Sequence, residues 1–217
     1  MDYEIARANM IEQQIRPWNV LAMQTLNALS TIRREDFVPK ESQHLAFMDV
    51  QIPLANGEVM LEPKLSARMM EVLDLSTEQN VLLIGTGSGY LTALLATVSR
   101  HVTSVEIDQV LHDQAKRNLA MAGIDNVTLV LDDCHHFCQE ASSYDAILIS
   151  GSMPVVPNEI LDLVPENGLL VAIEGNDPAM QVVKYSKSSS LALSKISILE
   201  TSVKRLRNVD ESPEFQF

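Results

Sequence analysis

The pattern of apolar and polar residues along the chain changes near residue 80. Before that point, apolar side chains recur every three or four positions, which is typical of amphipathic helices. The helices predicted there span residues 4–16, 22–32, 42–47 and 64–73. Residues 49–63 contain two prolines and an Asn-Gly pair, so we expect a loop or a short hairpin.

After residue 80 the chain alternates between strand-like and helix-like segments. Short apolar runs predict strands at 80–84, 101–106, 126–131, 144–150 and 168–173. Helices are predicted between them at 89–99, 108–122 and 157–164. This alternation is typical of an α/β fold with a doubly wound, mostly parallel sheet.

The last part of the chain shows two further strand-like runs, at 191–199 and near Val203. Loops are predicted at Asp177-Pro178 and at Ser188-Ser189-Ser190. With 217 residues, the chain is long enough for one domain with a sizeable core. We interpret it as a single domain, in which an N-terminal helical extension (1–78) lies on the α/β core (79–217).

Charge and composition exclude several classes of function. The net charge of −13 repels phosphate backbones, so we expect no nucleic-acid partner; the basic cluster at 204–207 is too short to change that. No stretch approaches the 18–20 or so apolar residues of a membrane span, and the first residues lack the pattern of a secretory signal. We therefore expect a cytoplasmic protein without a membrane partner, whose two cysteines are reduced thiols.

The run from Val81 to Tyr90, VLLIGTGSGY, carries the clearest chemical signal. Four apolar residues followed by Gly-x-Gly-x-Gly predict a buried strand, a tight turn and the start of a helix. Glycines there allow positive φ and bring backbone N–H groups close to a ligand. The dinucleotide-binding motif, Gly-x-Gly-x-x-Gly, differs because here the third glycine comes one residue early, at Gly89, and Tyr90 takes its place.

The following strands help to decide whether this loop belongs to a dinucleotide-binding fold or to another kind of ligand-binding fold. The second strand ends at Glu106, about twenty positions after Gly85, where a carboxylate can accept two hydrogen bonds from a ribose diol. The third ends at Asp132-Asp133, and we favour Asp133 over Asp132 as the acceptor for an adenine amino group. These motifs resemble motifs I and post-I of the class I S-adenosylmethionine-dependent methyltransferases.

The resemblance implies S-adenosylmethionine as cofactor. The glycine loop would hold its methionine end, Glu106 its ribose and Asp133 its adenine. The residues predicted to form the cofactor site are Gly85, Thr86, Gly87, Ser88, Gly89, Glu106, Ile107, Asp133 and Cys134.

The segment Cys134-His135-His136-Phe137-Cys138 raises the question of a metal site. Cysteines four residues apart share one helix face, but the two histidines project away from that face, and no second ligand pair occurs in the sequence. We therefore predict no metal site, and two reduced thiols beside the adenine. The sequence also lacks the motifs of Ser, Cys or His nucleophiles.

A more specific resemblance covers residues 8–175, where an ordered series of motifs is similar to the protein-L-isoaspartate O-methyltransferases. The family resemblance implies carboxyl methylation of isoaspartyl residues in damaged proteins, which would be the partners. A carboxylate is already ionised near neutral pH, so no catalytic base is predicted. The similar segments are residues 10–15, 33–39, 44–49, 53–54, 63–69, 85–90, 126–128, 144–147 and 154–157.

Two positions depart from this family. Leu61 stands where the family has an active-site serine, so it cannot donate a hydrogen bond to the reacting carboxylate, and the neighbouring Glu62 would repel that carboxylate if it faced inward. Leu83 stands where the family has an acidic residue. These changes predict weak or absent isoaspartyl methylation. They leave two alternatives open: a methyltransferase for another acceptor, such as an amine, or a cofactor-binding protein without activity.

Overall fold

The first 78 residues form short helical segments and one hairpin. The segments are α1 (Tyr3–Met10), a π-helical turn (Ile11–Ile15), a 3-10 turn (Arg16–Trp18), α2 (Met23–Thr31), two 3-10 helices (Arg34–Phe37 and Lys40–Leu45), the antiparallel strands β1 (Ile52–Pro53) and β2 (Val59–Met60), and α3 (Pro63–Leu73). The computed structural model describes residues 2–141, 144–188 and 193–209 of the chain.

The α/β core begins at residue 80. Its elements are β3 (Asn80–Ile84), α4 (Tyr90–Ala96), β4 (His101–Glu106), α5 (Gln109–Met121), β5 (Val127–Leu131), α6 (Cys134–Glu140), β6 (Ala146–Met153), α7 (Asn158–Leu161), β7 (Leu169–Asn176), β8 (Ala179–Lys187) and β9 (Leu193–Thr201). These seven strands form one sheet in the order β5-β4-β3-β6-β7-β8-β9.

Five of the seven strands are parallel. β3 pairs with β4 on one side and with β6 on the other, while β8 and β9 are antiparallel to their neighbours. The strand order therefore reverses at β3. Ligands of open α/β sheets bind where such a reversal occurs, at the carboxyl ends of the strands. The loops after β3, β4 and β6 all lie at that edge.

The structure confirms the predicted hairpin and the five parallel strands, and it corrects three details. The helix predicted over 4–16 is not one α-helix: it widens into a π turn at Ile11 and continues past Pro17, until Asn19 adopts a left-handed φ of 60°. Residues 42–47 are not α-helical, because a 3-10 helix occupies Lys40–Leu45.

The third correction concerns the last strands. Sequence reasoning missed β8, whereas Val203 is buried but lies in no strand. The run predicted at 191–199 corresponds to β9, although residues 191 and 192, like Ser189 and Ser190, lie outside the described residues.

The extension and the core share one apolar cluster. Met10, Leu29 and Phe37 of the extension belong to the same set of buried side chains as Val81 of β3 and Leu94 of α4. The extension therefore packs on the sheet through its own apolar face. Among the described residues, no helix is both long and apolar enough to cross a membrane.

Candidate functional site

The glycine loop between β3 and α4 forms the floor of the site. Gly85, Gly87 and Gly89 have φ values of 88°, 56° and 85°, which side chains rarely tolerate. A Cβ atom at Gly85 would lie 2.4 Å from the Ser150 Oγ, and one at Gly89 would lie 3.2 Å from the Cβ of Ala115. The loop therefore requires glycine both for its conformation and for its close approach to β6 and α5.

Glu106, at the end of β4, connects this loop to the neighbouring strand. Its Oε2 accepts a hydrogen bond from the Gly87 N–H (2.8 Å), and its Oε1 accepts one from the Asp108 N–H (3.0 Å). Burial raises the pKa of Glu106, and these two N–H donors partly oppose the shift. The carboxylate thus holds the glycine loop in place and still has lone pairs for further donors.

One pocket joins several of the predicted residues. Gly85, Gly87, Glu106 and Ile107 line it together with Leu61, which reaches it from the segment before α3. Thr86 and Ser88 line an adjoining cavity that Leu61 also borders. The structure therefore brings six of the nine predicted cofactor residues and the position of the family's serine to one place.

The acids after β5 have different surroundings. Asp133 caps α6, because its Oδ1 accepts a hydrogen bond from the His135 N–H (2.8 Å), and its Oδ2 accepts one from the Asn208 Nδ2 (2.7 Å). Asp132 and Cys134 line a cavity next to Glu106. Of the two acids, Asp132 lines this cavity, whereas Asp133, which the sequence favoured, caps α6; the adenine contact of Asp133 stays a prediction.

The two cysteines are buried free thiols in α6. Burial raises the pKa of Cys134 to about 11 and that of Cys138 to about 12, so both are protonated at neutral pH. Asp133, Cys134 and His135 bring potential ligand atoms within 4.8 Å of one another. A protonated thiol is a poor metal ligand, and Asp133 already accepts two hydrogen bonds, so the prediction of no metal site is retained.

The two departures from the family pattern lie in different environments. Leu83 is fully buried in β3, where it pairs with Ser104 and Leu148. The Glu62 Oε1 accepts a hydrogen bond from the Gln51 Nε2 (3.3 Å), and Glu62 is not among the residues that line the pocket with Leu61. Glu62 therefore does not line the pocket in which it was expected to repel the acceptor carboxylate.

The fully buried Arg34 fixes the Leu61 segment. Its Nη2 donates to the carbonyl oxygen of Leu61 (2.7 Å), its Nε donates to that of Ala46 (2.9 Å), and its guanidinium carbon lies 4.8 Å from the centre of the Tyr90 ring. Tyr90 directly follows the glycine loop. Arg34 therefore couples the position of Leu61 to that of the loop.

Sequence reasoning missed the segment that covers the pocket, residues 203–209, which we call the C-terminal strap. Leu206 of the strap packs against two glycines, Gly85 in the loop after β3 and Gly151 in β6. A Cβ atom at Gly85 would lie 3.4 Å from the Cδ2 of Leu206, and a Cβ atom at Gly151 would lie only 2.6 Å from the same atom. Arg207 donates to the Oε1 of Glu58 (2.8 Å) and to the Oδ2 of Asp108 (3.0 Å). The one feature of the sequence that could have indicated this segment is the basic cluster at 204–207.

Comparison with known proteins identifies the family. The model of the protein-L-isoaspartate(D-aspartate) O-methyltransferase family matches residues 6–202. The chain belongs to this family. A protein-L-isoaspartate O-methyltransferase of Methanoculleus marisnigri is 35% identical over 181 residues, which are 83% of this chain and 82% of that relative.

Two solved structures of protein-L-isoaspartate O-methyltransferases resemble this fold. One, from Plasmodium falciparum in complex with S-adenosyl-L-homocysteine, has a TM-score of 0.81 and 18% identity, covering 95% of this chain and 99% of its own. The other has a TM-score of 0.79 and 25% identity, covering 94% of this chain and 65% of its own. The predicted family, class I methyltransferase fold and enzyme class are confirmed, and the predicted cofactor agrees with the ligand of the Plasmodium protein. The individual site residues stay predictions.

Proposed function

We propose that this chain transfers the methyl group of S-adenosylmethionine to the carboxylate of isoaspartyl residues in damaged proteins. The observation that carries the proposal is the shared pocket, in which the glycine loop and Glu106 face Leu61. The place of the loop fits a cofactor, because it follows β3 at the carboxyl edge of the sheet, where ligands of open α/β sheets bind. Cytoplasmic protein substrates suit an enzyme whose cysteines are free thiols.

The residues of this chain bind and orient the reactants. When bound, S-adenosylmethionine would supply a methyl group on a positively charged sulfur. Transfer of that group would form a bond from a carboxylate oxygen to the methyl carbon, while the electron pair of the broken carbon–sulfur bond would go to sulfur. Glu106 accepts hydrogen bonds from the ribose hydroxyls, while the glycine loop holds the methionine end. The strap lines the pocket, and Arg34 fixes Leu61. No described residue has to act as a base, because the acceptor is already ionised.

Leu61 sets the expected speed of the reaction. Removing one aligned donor to a reacting anion costs about 2.7–4 kcal/mol, or roughly 10²–10³ in kcat. Because the side chain of Leu61 offers no donor, we expect slow but measurable methylation of an isoaspartyl peptide. A serine at this position returns the donor, so Leu61→Ser should raise kcat about tenfold, with little change in the affinity for S-adenosylhomocysteine.

Methyl transfer to an isoaspartyl peptide, with the matched aspartyl peptide as control, tests the proposal. Leu61→Ala is the control for Leu61→Ser, because it removes bulk without adding a hydroxyl. If the wild type bound S-adenosylhomocysteine but did not methylate the isoaspartyl peptide, the proposed acceptor would be wrong. Equal rates for the Ser and Ala variants would show that a hydroxyl at position 61 does not reach the acceptor.

A further inference from the structure

The C-terminal strap brings three cations to the rim of the pocket, Lys204, Arg205 and Arg207. Two of them have carboxylate partners. The Lys204 Nζ lies 3.0 Å from the Glu58 Oε1, and Arg207 pairs with both Glu58 and Asp108. Their charges are therefore compensated within the protein.

Arg205 differs from its neighbours. Its Nη2 donates to two neutral groups, the carbonyl of Gly175 (3.3 Å) and the Oδ1 of Asn176 (2.7 Å), and it makes no ion pair with any described residue. Its Nη1 is buried and has no hydrogen-bond partner among the described residues. The Nη1 of Arg34 is also buried and unpaired, so Arg205 is distinguished by its place in the pocket lining without a carboxylate partner among the described residues.

We propose that Arg205 binds the acceptor carboxylate and supplies the polar contact that Leu61 lacks. This inference rests on the proposed function, because it identifies how the same pocket recognises its substrate. Arg205 and Leu61 line one pocket, and a guanidinium binds a carboxylate through charge-assisted and often bidentate hydrogen bonds. Among the cations that line this pocket, Arg205 is the one whose charge no described carboxylate compensates.

The other polar groups near Leu61 are less suited to this role. The Ser150 hydroxyl donates to the carbonyl oxygens of Ile84 and Gly85, and the guanidinium of Arg34 is fully buried against Leu61 and Ala46. Arg205 is thus the pocket cation that has no carboxylate partner among the described residues. Its charge also selects the class of acceptor, because it attracts a carboxylate and repels a protonated amine.

The experiment measures two quantities for wild type, Arg205→Met and Arg205→Lys. Calorimetry gives the affinity of the S-adenosylhomocysteine-bound protein for an isoaspartyl peptide, and methyl-transfer assays give KM and kcat. We expect Arg205→Met to weaken peptide binding and raise KM at least tenfold, and Arg205→Lys to recover part of the loss. Affinity for S-adenosylhomocysteine should stay within about twofold, which shows that the fold and the cofactor site are intact.

Arg100→Met is the matched control, because it removes the same charge from the opposite edge of the sheet. Arg100 precedes β4 and pairs with Glu78 in an exposed contact (2.6 Å), so peptide binding should not change. If Arg205→Met failed to bind S-adenosylhomocysteine, Arg205→Gln would be judged by the same criteria, since it keeps an N–H donor and removes the charge.

The outcomes separate the two proposals. Wild-type methylation with an unchanged KM in the Arg205 variants would overturn the role of Arg205 and leave the proposed function standing. An equal loss in Arg100→Met would show a general effect of net charge and would also overturn it. Absence of isoaspartyl methylation in the wild type would overturn the proposed function, and the role of Arg205 with it.

Discussion

At the scale of single residues, Glu106 has a structural role, and we propose that the same carboxylate also binds the cofactor. It accepts hydrogen bonds from the Gly87 and Asp108 N–H groups, and it is only 6% exposed. Burial disfavours its ionised form, so the pKa lies above the ordinary value of about 4.3. The ionised form is the stronger acceptor for ribose hydroxyls, which links cofactor affinity to pH.

We therefore expect the affinity for S-adenosylhomocysteine to fall as the pH decreases through the raised pKa of Glu106. Protonation removes charge from the acceptor, so weakening should begin at a higher pH than an ordinary glutamate would cause. Calorimetric titration between pH 5 and 7.5 measures this. Glu106→Gln should bind about tenfold more weakly near neutral pH, with less dependence on pH. Parallel pH profiles for both proteins would exclude Glu106 as the titrating group.

The sequence predicted some site residues and not others, depending on how far apart in the chain the contacts lie. Gly85 and Glu106 follow from motifs on adjacent strands, where the parallel pairing fixes their proximity. Arg205 and Arg207 could not be placed, because their partners Gly175, Glu58 and Asp108 lie about 30 to 150 residues away in the chain. Only the folded sheet brings these groups together.

At the scale of elements, the C-terminal strap lines the pocket and contacts both halves of the chain. Arg207 joins it to Glu58 in the extension and to Asp108 at the start of α5, and Asn208 joins it to Asp133. Burial tends to raise the pKa of Asp108, but hydrogen bonds from Asn56, Leu111 and Arg207 outweigh this and lower it. Asp108 therefore stays ionised, and the ion pair persists at neutral pH.

Removing the Arg207 side chain should loosen the strap and speed release of the cofactor product. The side chain of Arg207 is 37% exposed, so solvent screens part of its interaction with Glu58 and Asp108, and we expect about a threefold to tenfold faster dissociation of S-adenosylhomocysteine from Arg207→Ala. Stopped-flow displacement at low and high salt measures the rate. Added salt should accelerate release from the wild type more than from the variant.

Arg100→Ala serves as the control for the strap, because its ion pair with Glu78 lies at the other edge of the sheet. Its dissociation rate should equal that of the wild type. Unchanged release from Arg207→Ala at both salt concentrations would show that the strap does not limit exchange.

Prediction of the elements succeeded where a segment is buried in a regular way. β3 and the first half of β6 contain runs of four apolar residues, 81–84 and 146–149, in the middle of the sheet, and this pattern leaves little ambiguity. β8 was missed because Gln181 and Lys184 interrupt its apolar residues and the Asp177-Pro178 pair precedes it, so the local signal resembles a loop. Its antiparallel pairing with β7 and β9, rather than its own sequence, defines it.

At the scale of the whole molecule, the extension and the core are bound together by buried contacts of two kinds. Phe37 packs edge-on against Tyr90 of α4, with ring centres 5.7 Å apart, within the shared apolar cluster. The second kind is polar: the guanidinium carbon of the buried Arg34, in the extension, lies 4.8 Å from the centre of the Tyr90 ring. Neither part buries its apolar face without the other, so the single-domain prediction implies that both unfold together.

Trp18, the single tryptophan of the chain, makes this prediction measurable. It lies in the extension, half-buried, with the Lys64 Nζ 4.2 Å from its ring centre, so its fluorescence reports on the extension. Circular dichroism reports mainly on the helices and the sheet of the whole chain. We expect the two signals to follow one urea transition. Separate midpoints would mean that the extension unfolds independently of the core.

Phe37→Ala tests the same coupling from the extension side. Phe37 is 2% exposed, and truncating a buried phenylalanine typically costs about 3–5 kcal/mol through lost burial and the cavity left behind. We expect both transitions to move together to lower urea by the amount that corresponds to this loss. Met121→Ala, at a 74% exposed position on α5, is the control and should change stability by no more than about 0.5 kcal/mol. A shift of the fluorescence transition alone would show that Phe37 stabilises the extension without stabilising the sheet on which it packs.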